Sequence, residues 1–167
     1  MIALTSFAGR EVPSDIKLYQ ISSGTAPTSH VYMEAQIFSP DSKRFLIHSP
    51  ASPHGSLGLT DPEHRYILCD LENNAEFTPV TTELGVGAPA FSLDGKHIYY
   101  FSNETPSGGG LWFKRYEVAS GKRETLSFVP QQAAGYRRFA GSFSSKISSD
   151  GQRIATAANW TPVDGND

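Results

Sequence analysis

The sequence predicts an all-β fold assembled from repeated four-stranded units, and three observations predict it. Segments FSPDSKRFLIHS (38–49), FSLDGKHIYYFS (91–102) and ISSDGQRIATAA (147–158) align without gaps. A second element recurs between them: KLYQISSG (17–24), YILCDLENN (66–74) and KRYEVASG (114–121). No stretch of a dozen residues keeps a helical period, and the 15 Gly and 11 Pro in 167 residues imply frequent turns.

The first element reads as a β-hairpin. Asp94-Gly95 and Asp150-Gly151 are the residue pairs expected at a two-residue turn whose positive φ angles match strand twist. Pro40-Asp41-Ser42 is a related turn, with Pro presetting φ at its second position. The flanks carry Phe38, Phe45, Phe91, Ile98, Tyr99, Tyr100 and Phe101, which suit a pleated, buried surface. In the second element Tyr19 and Ile21, and again Tyr116 and Val118, alternate with polar neighbours, the pattern of a half-buried strand. Residues from Pro130 to Arg138 are interrupted by Gly135 and read as a loop or one helical turn.

Asp41, Asp94 and Asp150 recur at intervals of 53 and 56 residues. A period near 50 residues holding four short strands is what a β-propeller blade requires. The expected layout is seam or preceding-blade strands at 12–30, one blade at 31–83, a second at 86–128 and an incomplete one at 139–167. Propellers close with roughly 4–8 blades, so the chain reads as the N-terminal portion of a larger ring. The remaining blades, or self-association through the open edges, are the expected partners.

The formal net charge of −3 is small and not segregated, which argues against nucleic acid as a partner. No apolar run approaches the ~18 residues of a membrane span, so no membrane partner is expected. The start MIALTSFAGRE lacks a basic n-region, which points to the cytoplasm; a start incomplete at its N-terminus would leave the periplasm open. One cysteine, Cys69, leaves no basis for an intrachain disulfide or a cysteine metal cluster.

The Asp-Gly hairpin after a Phe-Ser or Ile-Ser strand resembles the Pro-Asp repeat of TolB-like propellers. Within that group the order of motifs is similar to the oligogalacturonate lyase family, a seven-bladed propeller. Those motifs are YQISSG (19–24), His30 with Tyr32, Phe38-Ser39-Pro40-Asp41, LCDLENN (68–74) and FSLDGKHIYYFSN (91–103). The resemblance implies metal-assisted β-elimination on short galacturonides, with manganese acting as Lewis acid on the uronate carboxylate. It also implies that the family's metal ligands and catalytic base lie in later blades, beyond Asp167. No cofactor or catalytic residue is therefore expected within this chain, and manganese belongs to the full-length parent.

An acidic oligosaccharide needs cations and aromatic faces. Arg137 and Arg138, preceded by Tyr136, are the best basic cluster, because a planar guanidinium pairs bidentately with a carboxylate. They are expected in the connection 128–140. His30 and Tyr32 lie where a central pocket would open, and Glu34 shares a strand face with Tyr32. Arg65, beside His64, and Trp160 are further candidates. His48 and His97 read as structural, while His54 and His64 flank a loop that could rim a pocket. None of the five histidines has metal-site spacing. There is no Gly-x-Ser-x-Gly elbow. SGGG (107–110) lacks the Lys that follows a phosphate-binding loop. Glu34, Asp61, Glu63 and Asp70 are too scattered to name a glycosidase pair. Two other functions fit the same fold: a non-catalytic TolB-like scaffold for protein interaction, and the propeller domain of a serine peptidase.

Overall fold

The computed structural model describes residues 1–22, 27–31, 35–49, 63–103, 110–130 and 136–162, with backbone alone for 129–130, 136–144 and 157–162. All its regular elements are strands: β1 (Ile2–Leu4), β2 (Ser6–Phe7), β3 (Arg10–Glu11), β4 (Leu18–Gln20), β5 (Ser29–His30), β6 (Arg44–Ser49) and β7 (Arg65–Asp70). After these come β8 (Glu76–Pro79), β9 (Val86–Phe91), β10 (His97–Ser102), β11 (Gly110–Glu117), β12 (Arg123–Pro130), β13 (Tyr136–Ile147) and β14 (Ile154–Pro162).

Two four-stranded sheets carry the fold, in the orders β5-β6-β7-β8 and β9-β10-β11-β12, and all their pairings are antiparallel. Strand order in space follows strand order in sequence. β13 and β14 form a two-stranded antiparallel sheet, and so do β1 with β4 and β2 with β3. β4 therefore pairs with β1, a partner its sequence did not reveal.

The repeated hairpin is built around Ser and Asp together. Ser92 Oγ donates to Asp94 Oδ1 (2.7 Å) and accepts from the His97 N–H (2.9 Å), while Asp94 Oδ1 also accepts from the Lys96 N–H (3.1 Å). Ser39 and Asp41 repeat the pattern with Arg44 and Lys43 (2.6, 3.0 and 3.1 Å). Ser148 and Asp150 repeat it again with Arg153 and Gln152. This corrects the expected two-residue turn. The loop has four residues, Leu93 to Lys96, closed by the Ser92 N–H on His97 O at 2.8 Å. A two-residue type I′ turn needs positive φ at both central positions. Here only Gly95 (φ 70) is left-handed, and Ser42 (φ 58) and Gly151 (φ 69) take its place in the other two turns.

The main core lies between the two four-stranded sheets. Ile37, Leu46, Tyr66 and Leu68 from the first meet Val86, Phe91, Ile98, Tyr100 and Tyr116 from the second. Alternation along β10 explains the layering: Ile98 and Tyr100, each 0% exposed, face this core. Phe101 turns the other way, joining Ala88 and Leu111 in a second cluster that reaches Phe113 and Ile154. β9 is buried throughout. Its Pro89 sits where the register between β9 and β10 shifts, beside Ala88 at φ 53; a bulge is the place an inner strand tolerates proline.

Gln36 ties the three inner strands together. Its carbonyl accepts from the Phe91 N–H (2.9 Å), and its side-chain Oε1 accepts from the Ile147 N–H (3.3 Å). Gln36, which follows β5, thus lies beside Phe91 and Ile147, the last residues of β9 and β13. The Ser-Asp turns lie together at one end of the molecule, and the starts of the inner strands lie at the other.

Candidate functional site

The second end holds two side-chain clusters, and the residues expected from the sequence are only partly described. His30 lies in β5, is exposed, and its Nδ1 lies 2.8 Å from Val31 O. Tyr32 and Glu34 lie outside the described residues, as do His54 and Asp61. The structure moves the arginines. β12 runs to Pro130 and β13 begins at Tyr136, so Arg137 and Arg138 stand on an inner strand, not in a long connection. Their backbone starts β13, while His30 ends the two-residue β5. The side chains of Arg137, Arg138 and Trp160 lie outside the described set.

Two clusters here were missed by sequence reasoning. His48 and His64 are 4% and 1% exposed, with ring centroids 5.3 Å apart, and His64 meets Tyr66 edge-on at 5.2 Å. The antiparallel register that sets Ser49 opposite Arg65 makes them neighbours although 15 residues lie between them in sequence. Burial raises the Tyr66 phenol far above its usual value. Arg65 is turned inward at the backbone, its Nη1 donating to His64 O at 2.6 Å.

The second cluster centres on Glu83, in the link from β8 to β9. Its Oε1 accepts from Tyr100 Oη–H (3.0 Å) and Lys114 Nζ (3.1 Å), and its Oε2 accepts from the Thr82 N–H (2.9 Å). Lys114 and Glu83 are 11% and 15% exposed, so the pair is largely shielded from water. Burial pushes the Glu83 carboxyl up, but the Thr82 N–H and the Lys114 ammonium outweigh it and hold it below the usual range. Further out at this end, Trp112 and Phe128 pack with ring centroids 4.5 Å apart, and Phe128 is exposed.

A cleft of about 590 Å³ opens at the Ser-Asp turn end between the two four-stranded sheets. Asp41, Asp70, Glu76, Asp94 and Glu117 line it against Arg44 and Lys96. Arg44 Nε is already engaged by Asp70 Oδ2 at 2.9 Å. The lining of this cleft is net negative and disfavours an anionic ligand. Cys69 is buried, and burial with the nearby Asp70 charge pushes its thiol up to about 11, which makes it a poor nucleophile at neutral pH. Among the described residues no three His, Cys, Asp or Glu side chains converge in a way that could hold a metal ion. These residues therefore do not fit the manganese that the resemblance implies.

No family model matches the sequence, and no curated protein matches it either. Solved structures do. An oligogalacturonate lyase in complex with manganese superposes with a TM-score of 0.52 at 19% identity, covering 76% of this chain and 28% of that one. TolB from Acinetobacter baumannii superposes with a TM-score of 0.50 at 15% identity, covering 87% of this chain and 32% of that one. The fold is a partial β-propeller. Its sheets are blades, the inner strands line the propeller axis, and the chain spans about a third or less of the solved propellers it matches. At these identities the likeness concerns the fold alone.

Proposed function

We propose that this chain is the N-terminal part of a propeller of the oligogalacturonate lyase type, and that the whole protein acts on short uronate oligosaccharides by β-elimination. The observation carrying the reading is the order of motifs from YQISSG through His30 and LCDLENN to FSLDGKHIYYFSN. The fold likeness is compatible with it but does not select it, since the lyase and TolB superpose almost equally well. In this reading the chain supplies part of the pocket wall at the axis. Arg137 and Arg138 would pair with a uronate carboxylate, and His30 and Tyr32 would meet the sugar hydroxyls and ring face. Manganese would be held by residues other than those described here, and no step is assigned to it in this chain.

The test is calorimetric titration of the chain with trigalacturonate and with a neutral trisaccharide. The expected result is binding of the acidic sugar alone, weakened at least tenfold, about 1.4 kcal/mol, by Arg137→Ala with Arg138→Ala. Equal binding of both sugars, or none, would sink the reading. The second reading is a non-catalytic scaffold for protein interaction, and failure of both sugars to bind points to it. A Gly-x-Ser-x-Gly elbow in a longer reading frame would instead identify the peptidase.

A further inference from the structure

We propose that the cleft between the two complete blades binds an aliphatic chain carrying two or more ammonium groups, supplied as a free polyamine or as the lysine side chains of a peptide. The proposal does not rest on the sugar reading and uses none of its residues. The cleft measures about 590 Å³, within the roughly 300–1,000 Å³ of small-molecule sites. Both blades build its walls: Asp41, Asp70 and Glu76 come from the first, Asp94, Lys96 and Glu117 from the second.

The charges on these walls do not cancel. Asp70 is matched by Arg44 at 2.9 Å. Asp94 has Lys96 only at 3.9 Å, with both side chains more than half exposed, so water screens that contact. Among the described residues, Asp41, Glu76 and Glu117 make no ion pair. The Ser39 hydroxyl and the Lys43 N–H both use Asp41 Oδ1, and the Ser120 hydroxyl uses Glu117 Oε2. The second oxygen of each carboxylate accepts no bond among the described residues. The second, independent observation is Tyr116. It lines the cleft, is 2% exposed, and packs its ring in the core between the blades. Its hydroxyl reaches the turn after β11, where a Cβ on Gly121 would lie 3.7 Å from it. Glu117, Val118 and Ala119 of that turn also line the cleft, so the hydroxyl is aimed into it. Among the described residues this hydroxyl has no hydrogen-bond partner, whereas a buried phenol ordinarily has one.

The chemistry of the walls selects the ligand. Among the described residues, no three acidic side chains converge closely enough to hold a metal ion. Carboxylates spread over two walls suit charge spread along a chain instead of a point ion. Pro40, Leu68 and Val118 offer apolar surface for the methylenes between the ammonium groups. An ammonium N–H can donate to the Tyr116 oxygen as well as to the carboxylates. Arg123 does not serve this role. Its guanidinium lies 5.4 Å from the Tyr116 ring centroid and is held by the carbonyls of Pro79 and Val80, at 2.7 Å each.

Calorimetric titration of the chain with spermidine, with amidated trilysine and with magnesium chloride tests this. Spermidine or trilysine should bind, more tightly than magnesium, and the affinity should fall as salt is raised. The tighter of the two identifies the source, a free amine or a peptide. Glu76→Gln with Glu117→Gln should weaken binding by about tenfold or more, because two of the three carboxylates without ion pairs lose their charge. Tyr116→Phe should weaken it by roughly threefold to tenfold, the worth of one hydrogen bond. Without ligand, Tyr116→Phe should melt no lower than wild type, because the hydroxyl it removes is bonded to nothing in the protein. A clear fall in its Tm would show that the hydroxyl is bonded internally and would overturn the proposal. Failure of both spermidine and trilysine to bind, an unchanged affinity in the Gln variant, or tighter binding of magnesium overturns it as well. Trigalacturonate binding without amine binding would leave the sugar reading standing while this one falls, and the converse result would do the opposite.

Discussion

Replacing Glu83 by Ala is the most direct probe of how the two complete blades are held together. Glu83 leaves the first blade, while Tyr100 and Lys114 belong to the second, so the carboxylate bridges them. Breaking a fully buried ion pair costs about 3–5 kcal/mol. Glu83 and Lys114 keep 15% and 11% exposure, which lets the ammonium recover some hydration. The Tyr100 hydroxyl also loses an acceptor, in a residue that is 0% exposed, and a lost hydrogen bond of this kind adds about 1 kcal/mol. The two losses share one oxygen and do not add fully, so the expected cost is about 2–3 kcal/mol. For a chain of this size that lowers Tm by roughly 5–10 °C. Urea unfolding of wild type, Glu83→Ala, Lys114→Met and the double variant, all at one protein concentration, gives the cycle. The expected coupling is about 1–2 kcal/mol, with the double variant less damaged than the two singles combined. A single-variant cost below about 0.5 kcal/mol would show that this bridge behaves like a surface ion pair and would refute the argument.

Acid should loosen the protein through the same carboxylates. Asp41, Asp94 and Asp150 are held low first by the Ser hydroxyl and then by the N–H two residues on, and Glu83 is held low despite its burial. A carboxyl whose folded value lies below its unfolded one stabilises at neutral pH, and that contribution is lost as pH falls through the folded value. Stability should therefore decline below the ordinary carboxylate range, and Asp94→Asn with Glu83→Gln should flatten the decline; an unchanged slope in thermal melts against pH would contradict it. Gly85→Ala should cost far more than Gly9→Ala. Both have positive φ, 60 and 75, which costs about 1–2 kcal/mol for a side chain. A Cβ at Gly85 would also lie 2.6 Å from Asn103 O, whereas one at Gly9 meets nothing within 4 Å. Equal melting temperatures for the two variants would count against the packing described at the β8–β9 link.

The repeat made the blades legible, because a hairpin signal with apolar flanks recurs at fixed spacing. What escaped was whatever depends on the third dimension. Ser92 repeats as visibly as Asp94, but its hydroxyl matters only because a four-residue loop brings the His97 N–H back to it. Arg137 and Arg138 sit in a strand whose sequence, YRRFAGSFSSKI, has no apolar alternation, so periodicity gave no sign of it. An inner strand packed between two blades has no single solvent face to impose that alternation. His48 and His64 become neighbours through strand register across a long loop, and Glu83 meets Lys114 across 31 positions. Neither distance is encoded in local spacing.

The Ser-Asp turn has a consequence for how the chain folds. Every bond that defines it joins residues no more than five positions apart. A loop that short closes in well under a microsecond, and its hairpin forms in roughly 1–10 μs. The Gln36 bond to Ile147 spans 111 positions and must wait for the blades to meet. Three hairpins thus start independently during synthesis, each with its register already chosen, and the slow step is their assembly around the axis.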